Sequence, residues 1–148
     1  MPTTRQIVLV STALLLFAAQ SHADEIQSTD CTPEQVCPAE IRDIYLEYGS
    51  TNIRFELEVQ GKPFRGVMPF RWLRQQVFDS QQYTVSFGRE VGTWAGCELS
   101  RESDWELLKQ IAYWEEWDFV YVFGQVKSVN ILLGGIKLSN CEIELVKD

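Results

Sequence analysis

Residues Trp114 to Leu145 read WEEWDFVYVFGQVKSVNILLGGIKLSNCEIEL, and this stretch decides the fold. Phe119 to Val129 is rich in β-branched and aromatic residues, which predicts a strand. Alternate side chains of a strand point to opposite faces. Val120, Val122 and Val126 therefore share one face, and Phe119, Tyr121 and Phe123 the other. Both faces are expected to be at least partly covered. Gly124 interrupts the aliphatic row, as a glycine does where a strand bends or another backbone approaches closely. Gly134-Gly135 signals a turn. Beyond it Ile136 and Leu138 share one parity, while Cys141, Ile143 and Leu145 share the other. That change of phase at Ser139-Asn140 predicts a bulge, where one extra residue re-aims the strand.

Working upstream, Ser103 to Ala112 reads as a short amphipathic helix with Trp105, Leu108, Ile111 and Ala112 on one face. Ala95, Cys97 and Leu99 mark a strand before it, and Tyr83, Val85 and Phe87 another. Phe64 to Leu73 is a further strand, in which Pro69 requires a bulge, an edge or a kink because it cannot donate a ladder hydrogen bond. Pro38 to Tyr48 has helical spacing of Ile41, Ile44, Tyr45 and Tyr48, and the aromatic row of residues 119–123 is expected to pack beneath it. Residues 52–59 fit both periods: Ile53, Phe55, Leu57 and Val59 alternate as in a strand, whereas Asn52, Phe55 and Val59 fit one face of a helix. The order is helix, three strands, helix, two strands. This is the order of the five-stranded OB-fold barrel (β-β-β-α-β-β), here mainly β and preceded by an N-terminal helix.

Residues 1–23 have the form of a signal peptide. Arg5 supplies the positive start, Ile7 to Ala19 the apolar run, and Ser21-His22-Ala23 the small residues before cleavage near Ala23. The run falls short of the roughly twenty residues a spanning helix needs. The mature product is expected to be periplasmic or secreted, with a segment 24–37 ahead of a helix-plus-barrel domain at 38–148. Losing Arg5 moves the formal charge from −8 to −9, and losing His22 removes the only histidine. Cys31, Cys37, Cys97 and Cys141 all lie in the mature chain. An even count in a small exported domain implies disulfides, for which four cysteines allow three pairings. Cys31–Cys37 and Cys97–Cys141 are favoured; the first closes the short loop CTPEQVC, and the second agrees independently with the pairing of the third and fifth strands in an OB barrel. The chain-entropy model assigns them roughly 2 and about 4 kcal/mol.

The chain resembles the tRNA-anti-like group of small bacterial OB-fold proteins, many of them exported. The resemblance runs through Asn52-Ile53-Arg54-Phe55, Gly61-Lys62-Pro63-Phe64, Cys97-Glu98-Leu99, Val120 to Val126 and Ile136 to Cys141. It implies the fold and a helix end at 52–58, and it brings no catalytic residues and no tRNA binding. The sequence departs from the group at Pro69. It departs again at Trp114-Glu115-Glu116-Trp117-Asp118, where a short Gly-Asp turn is expected.

Chemistry is narrowed mostly by exclusion. Ser-His-Asp or Cys-His catalysis needs a positioned base that a chain without histidine lacks. The sequence points to no cofactor, no metal and no membrane span. Glu115, Glu116 and Asp118 beside Trp114 and Trp117 are the one carboxylate group that could hydrolyse cell-wall sugars; the plainer reading is a solvated turn with its tryptophans tucked into the barrel end. Arg65, Arg71, Arg74 and Arg89 gather with Trp72 and Tyr83 around the first two strands, the combination that holds single-stranded nucleic acid. Net negative charge opposes a polyanion and favours a basic partner. The expected function is a non-enzymatic binding module for a protein, peptide or glycan of the cell envelope, in an inhibitor or adaptor role. Its ligand-binding candidates are Arg65, Arg71, Trp72, Arg74, Arg89, Trp114 and Trp117.

Overall fold

A computed structural model describes residues 32–49, 52–89 and 91–147. The proposed signal segment, its cleavage point and Cys31 lie outside the described residues. A 3-10 turn at Pro38–Glu40 leads into α1 (Ile41–Tyr48) and α2 (Asn52–Glu58). The strands are β1 (Pro63–Gln75), β2 (Gln82–Phe87), β3 (Trp94–Ser100), β4 (Phe119–Asn130) and β5 (Gly135–Leu145), with α3 (Trp105–Ile111) between β3 and β4. They close in the order β1-β2-β3-β5-β4, with β3 and β5 parallel and the other neighbours antiparallel. This is the OB-fold barrel that the element order predicts.

Residues 52–59 resolve as helix because burial selects one of their two periods. Phe55 and Val59 are buried against the core, while Ile53 and Leu57 stand in solvent. The Tyr48 hydroxyl donates to Glu58 at 2.7 Å and ties α2 to α1. That bond pushes the Tyr48 pKa up to about 12. Ahead of the helices, Val36 bridges to Phe64 and so docks the N-terminal segment on β1.

The interior is built from the aliphatic face of β4. Val120, Val122 and Val126 are fully buried with Ile41, Val85, Phe87, Ile136 and Leu138. The aromatic row does not pack beneath α1. Tyr121 is exposed, and Phe119 and Phe123 are only partly covered, by the guanidinium groups of Arg89 and Arg65. A tightly curved five-stranded barrel has room inside for the smaller β-branched row, and the rings are left on the convex side.

The predicted bulge is present. Phe123 pairs with Glu142 and Gln125 with Ser139, so Asn140 and Cys141 together oppose Gly124. Asn140 takes a positive φ of 51° there, a conformation asparagine tolerates better than most residues. A Cβ on Gly124 would lie 3.1 Å from the Ser139 carbonyl oxygen and 3.4 Å from Cys141 Sγ, which explains the glycine in the aliphatic row. Cys141 is thereby aimed at Cys97, and the two form a disulfide with Cα atoms 6.1 Å apart. Cys37 is not a free thiol. Its expected pairing with Cys31 falls on a residue outside those described.

Candidate functional site

Pro69 marks the place where β1 leaves β4 for β2. It pairs with Phe119, while its carbonyl accepts from Gly88 N–H at 3.0 Å. Phe70 then pairs with Phe87 and Trp72 with Ser86, which leaves Arg71 as the extra residue of a bulge. Bulges re-aim side chains. The Arg71 guanidinium lies 3.7 Å from the Trp117 ring centroid, with Trp94 at 5.2 Å and Glu116 at 3.1 Å. Its side chain is 19% exposed, and its Nε is buried with no hydrogen-bond partner among the described residues. Trp117 is held in place by its N–H to the Phe70 carbonyl at 2.8 Å and adopts φ 80°, a region that favours glycine. The unexpected tryptophan of the Trp114–Asp118 insert thus stands where a Gly-Asp turn would need no strain, and the Arg71 stack holds it there.

This assembly uses up most of the carboxylates considered for hydrolysis. Glu116 is the ion-pair partner of Arg71, and Asp118 accepts from the Glu115 N–H at 2.8 Å as a turn-closing group. Trp114 packs edge-on against Phe70 at 5.7 Å, at the margin of the core. Tyr83 also packs against the core. Arg65 lies over Phe123 at 5.3 Å and Arg89 over Phe119 at 5.7 Å, both beside β4. The four arginines therefore rest on separate aromatic partners.

Trp72 and Arg74 instead open onto a cleft of about 550 Å³, within the range of ligand-binding clefts. Its lining also includes Thr84, Val129, Leu133 and Lys137. Arg74 stacks on Trp72 at 4.6 Å and makes no ion pair among the described residues. Lys137 is neutralised by Glu98, which also binds Lys127 at 2.9 Å. The Lys137 hydrogen bond, with help from Lys127 and against partial burial, holds the Glu98 carboxyl below the usual range.

Two connections flank this cleft. In the β1–β2 loop Phe78 is fully exposed and Val77 nearly so. The loop is ordered by Gln75 Nε2 donating to the Ser80 carbonyl at 2.7 Å and Gln81 N–H to Asp79 Oδ1 at 2.9 Å. In the β4–β5 turn Leu132 is almost wholly exposed and Ile131 largely so. There the Asn130 side chain accepts from Leu133 N–H at 3.1 Å. The connection from Arg74 to Gln82 is legible in the sequence as a place where OB folds often bind, but Phe78 within it, and Ile131 and Leu132, do not stand out there. The signal was available, since runs of apolar residues are out of place in solvated turns. Leu46, Ile53 and Leu57 are also exposed, on the helices, and none of them lines the Trp72–Arg74 cleft.

No family model and no curated protein matches the sequence. Among solved structures, the chain is similar to OBody AM3L15 bound to hen egg-white lysozyme. The TM-score is 0.47 at 20% identity over 61% of this chain and 80% of that one. It is also similar to an aspartyl-tRNA synthetase from Leishmania major Friedlin, with a TM-score of 0.48 and 15% identity over 83% of this chain. The match spans 22% of the synthetase. Among the described residues no helix is long and apolar enough to cross a membrane.

Proposed function

We propose that the chain is an exported binding module, without chemistry of its own, that holds a protein or peptide partner between the β1–β2 loop and the β4–β5 turn. The observation that carries this reading is the Trp72–Arg74 cleft, lined by Gln76 of the β1–β2 loop and by Ile131, Leu132 and Leu133 of the β4–β5 turn, with Phe78 exposed farther along the first connection. Exposed apolar groups on a backbone already ordered by hydrogen bonds cost less loop ordering when a partner covers them. Export, signal cleavage near Ala23 and membership of the tRNA-anti-like group belong to the same proposal. The Cys97–Cys141 bond supports it, because disulfides persist in oxidising compartments.

The test is a binding experiment with purified mature protein and envelope proteins. A stable one-to-one complex is expected, lost in a Phe78→Asp/Leu132→Asp variant and kept in Arg65→Ala. A complex indifferent to both turns would move the site elsewhere on the barrel. No complex with folded bait would sink the reading. Single-stranded nucleic acid is the second reading, favoured by the arginine stack on Trp72 at the cleft. It requires affinity that falls steeply with salt and with Arg74→Ala.

A further inference from the structure

The cleft also limits what its occupant can be. Its ionic lining is cationic: Arg74 and Lys137 border it, and among the described residues no carboxylate does. Lys137 is satisfied by Glu98, so Arg74 is the cation without a carboxylate partner among the described residues. The guanidinium carbon lies 4.6 Å from the centroid of the Trp72 ring. The planar fork of a guanidinium suits the two oxygens of a carboxylate. Beyond the cations, the apolar part of the lining is Trp72 on β1 and Val129, Ile131, Leu132 and Leu133 toward the β4–β5 turn. The long-range field of an acidic chain opposes this choice, but the Debye length of about 8 Å at physiological ionic strength confines that repulsion. Contacts inside the cleft then decide the sign.

We infer that the cleft takes an extended segment of a partner protein carrying an aspartate or glutamate flanked by large apolar side chains. The carboxylate meets Arg74, and the apolar groups meet Trp72 and the β4–β5 turn. This rests on the binding-module reading above and names its partner by chemistry.

The experiment is display selection of random dodecapeptides on the full mature protein, with sedimentation of the same sample. Enriched sequences are expected to place Asp or Glu within two positions of two large apolar residues. The best synthetic peptide should lose about tenfold or more in affinity with Arg74→Gln, as for a hydrogen bond to a charged group. It should also weaken with Leu132→Asp and be unchanged by Arg65→Gln. Enriched peptides without acidic residues, still sensitive to Leu132→Asp, would overturn the partner chemistry and leave the cleft standing. No enrichment, or peptides insensitive to both cleft variants, would overturn both. A second copy of this chain could offer its own Val77-Phe78-Asp79 tip. A dimer in sedimentation that dissociates with Phe78→Asp would therefore identify self-association and overturn the partner segment.

Discussion

Arg71 and Arg74 lie three residues apart on β1, each stacked on tryptophan, and they do opposite things. Arg71 is the extra residue of a bulge, mostly buried between Trp117 and Trp94 and clamped by Glu116. Arg74 is exposed, follows the regular register opposite Thr84, and lacks a carboxylate. An arginine on an indole is therefore no binding signal in itself. What separates architecture from availability is whether the donors are already occupied. Arg71 holds the α3–β4 connection to the barrel, whereas Arg74 is left to face the cleft.

The largest effect expected to sharpen this contrast is on Arg71. Arg71→Ala should cost about 2 kcal/mol in denaturant unfolding, from the lost stack and ion pair together. A loss under about 0.5 kcal/mol would put Arg71 in the same class as Arg74. Trp117→Gly separates the two parts of the latch. Relief of the positive φ, worth about 1–2 kcal/mol, should largely offset the lost stacking and leave stability within about 1 kcal/mol of the parent. A deficit as deep as that of Arg71→Ala would mean that the backbone there carries no strain.

The carboxylate of Glu98 tests the other side of the contrast through pH. Its folded pKa is depressed below the ordinary carboxylate value of 4.5 by the lysines. The stabilisation is therefore present above that value and lost as pH falls through the folded pKa. Glu98→Gln should be slightly less stable than the parent at pH 7, by under about 1 kcal/mol, and the two should converge as pH falls through the folded pKa. A gap that persists in acid would assign the loss to packing. The same variant frees Lys137, so an acidic peptide should bind it more tightly. Smallest of all, Arg74→Ala should change stability by less than about 0.5 kcal/mol, as exposed substitutions do. A larger loss would make Arg74 structural and remove it from the proposed site.

Much of the barrel was legible in the sequence because its signals are local and mutually consistent. The phase change at Ser139-Asn140 gave away the bulge, and Gly124 the close approach opposite it. The order of elements placed Cys97 and Cys141 on paired strands. Residues 52–59 were ambiguous because apolar side chains satisfy both periods, and only burial of Phe55 and Val59 separates them. The aromatic row of β4 was misplaced because alternation tells which side chains share a face but not which face is inside. The site was half legible. Trp72 and Arg74 were visible as candidates, but their separation from Arg65 and Arg89 depends on tertiary placement. The β1–β2 loop was legible as a binding location, but Phe78 within it and Leu132 were not, because whether the barrel covers an apolar residue of a connection depends on tertiary placement.

The parallel seam between β3 and β5 has a consequence in time. The β1–β2, β2–β3 and β4–β5 pairings join strands adjacent in the chain, while β1–β4 and β3–β5 join distant ones. Distant pairings form late, since loop closure must precede the contacts that reward it. Cys97 and Cys141 are 44 residues apart. They meet only after α3 and β4 have been laid between them and β5 has found its register. Until then β3 and β5 are open edges, the state in which a chain is most prone to pair with its neighbours. Formation of this bond is thus a late event in folding, one that records the barrel's closure and ends the exposure of those edges.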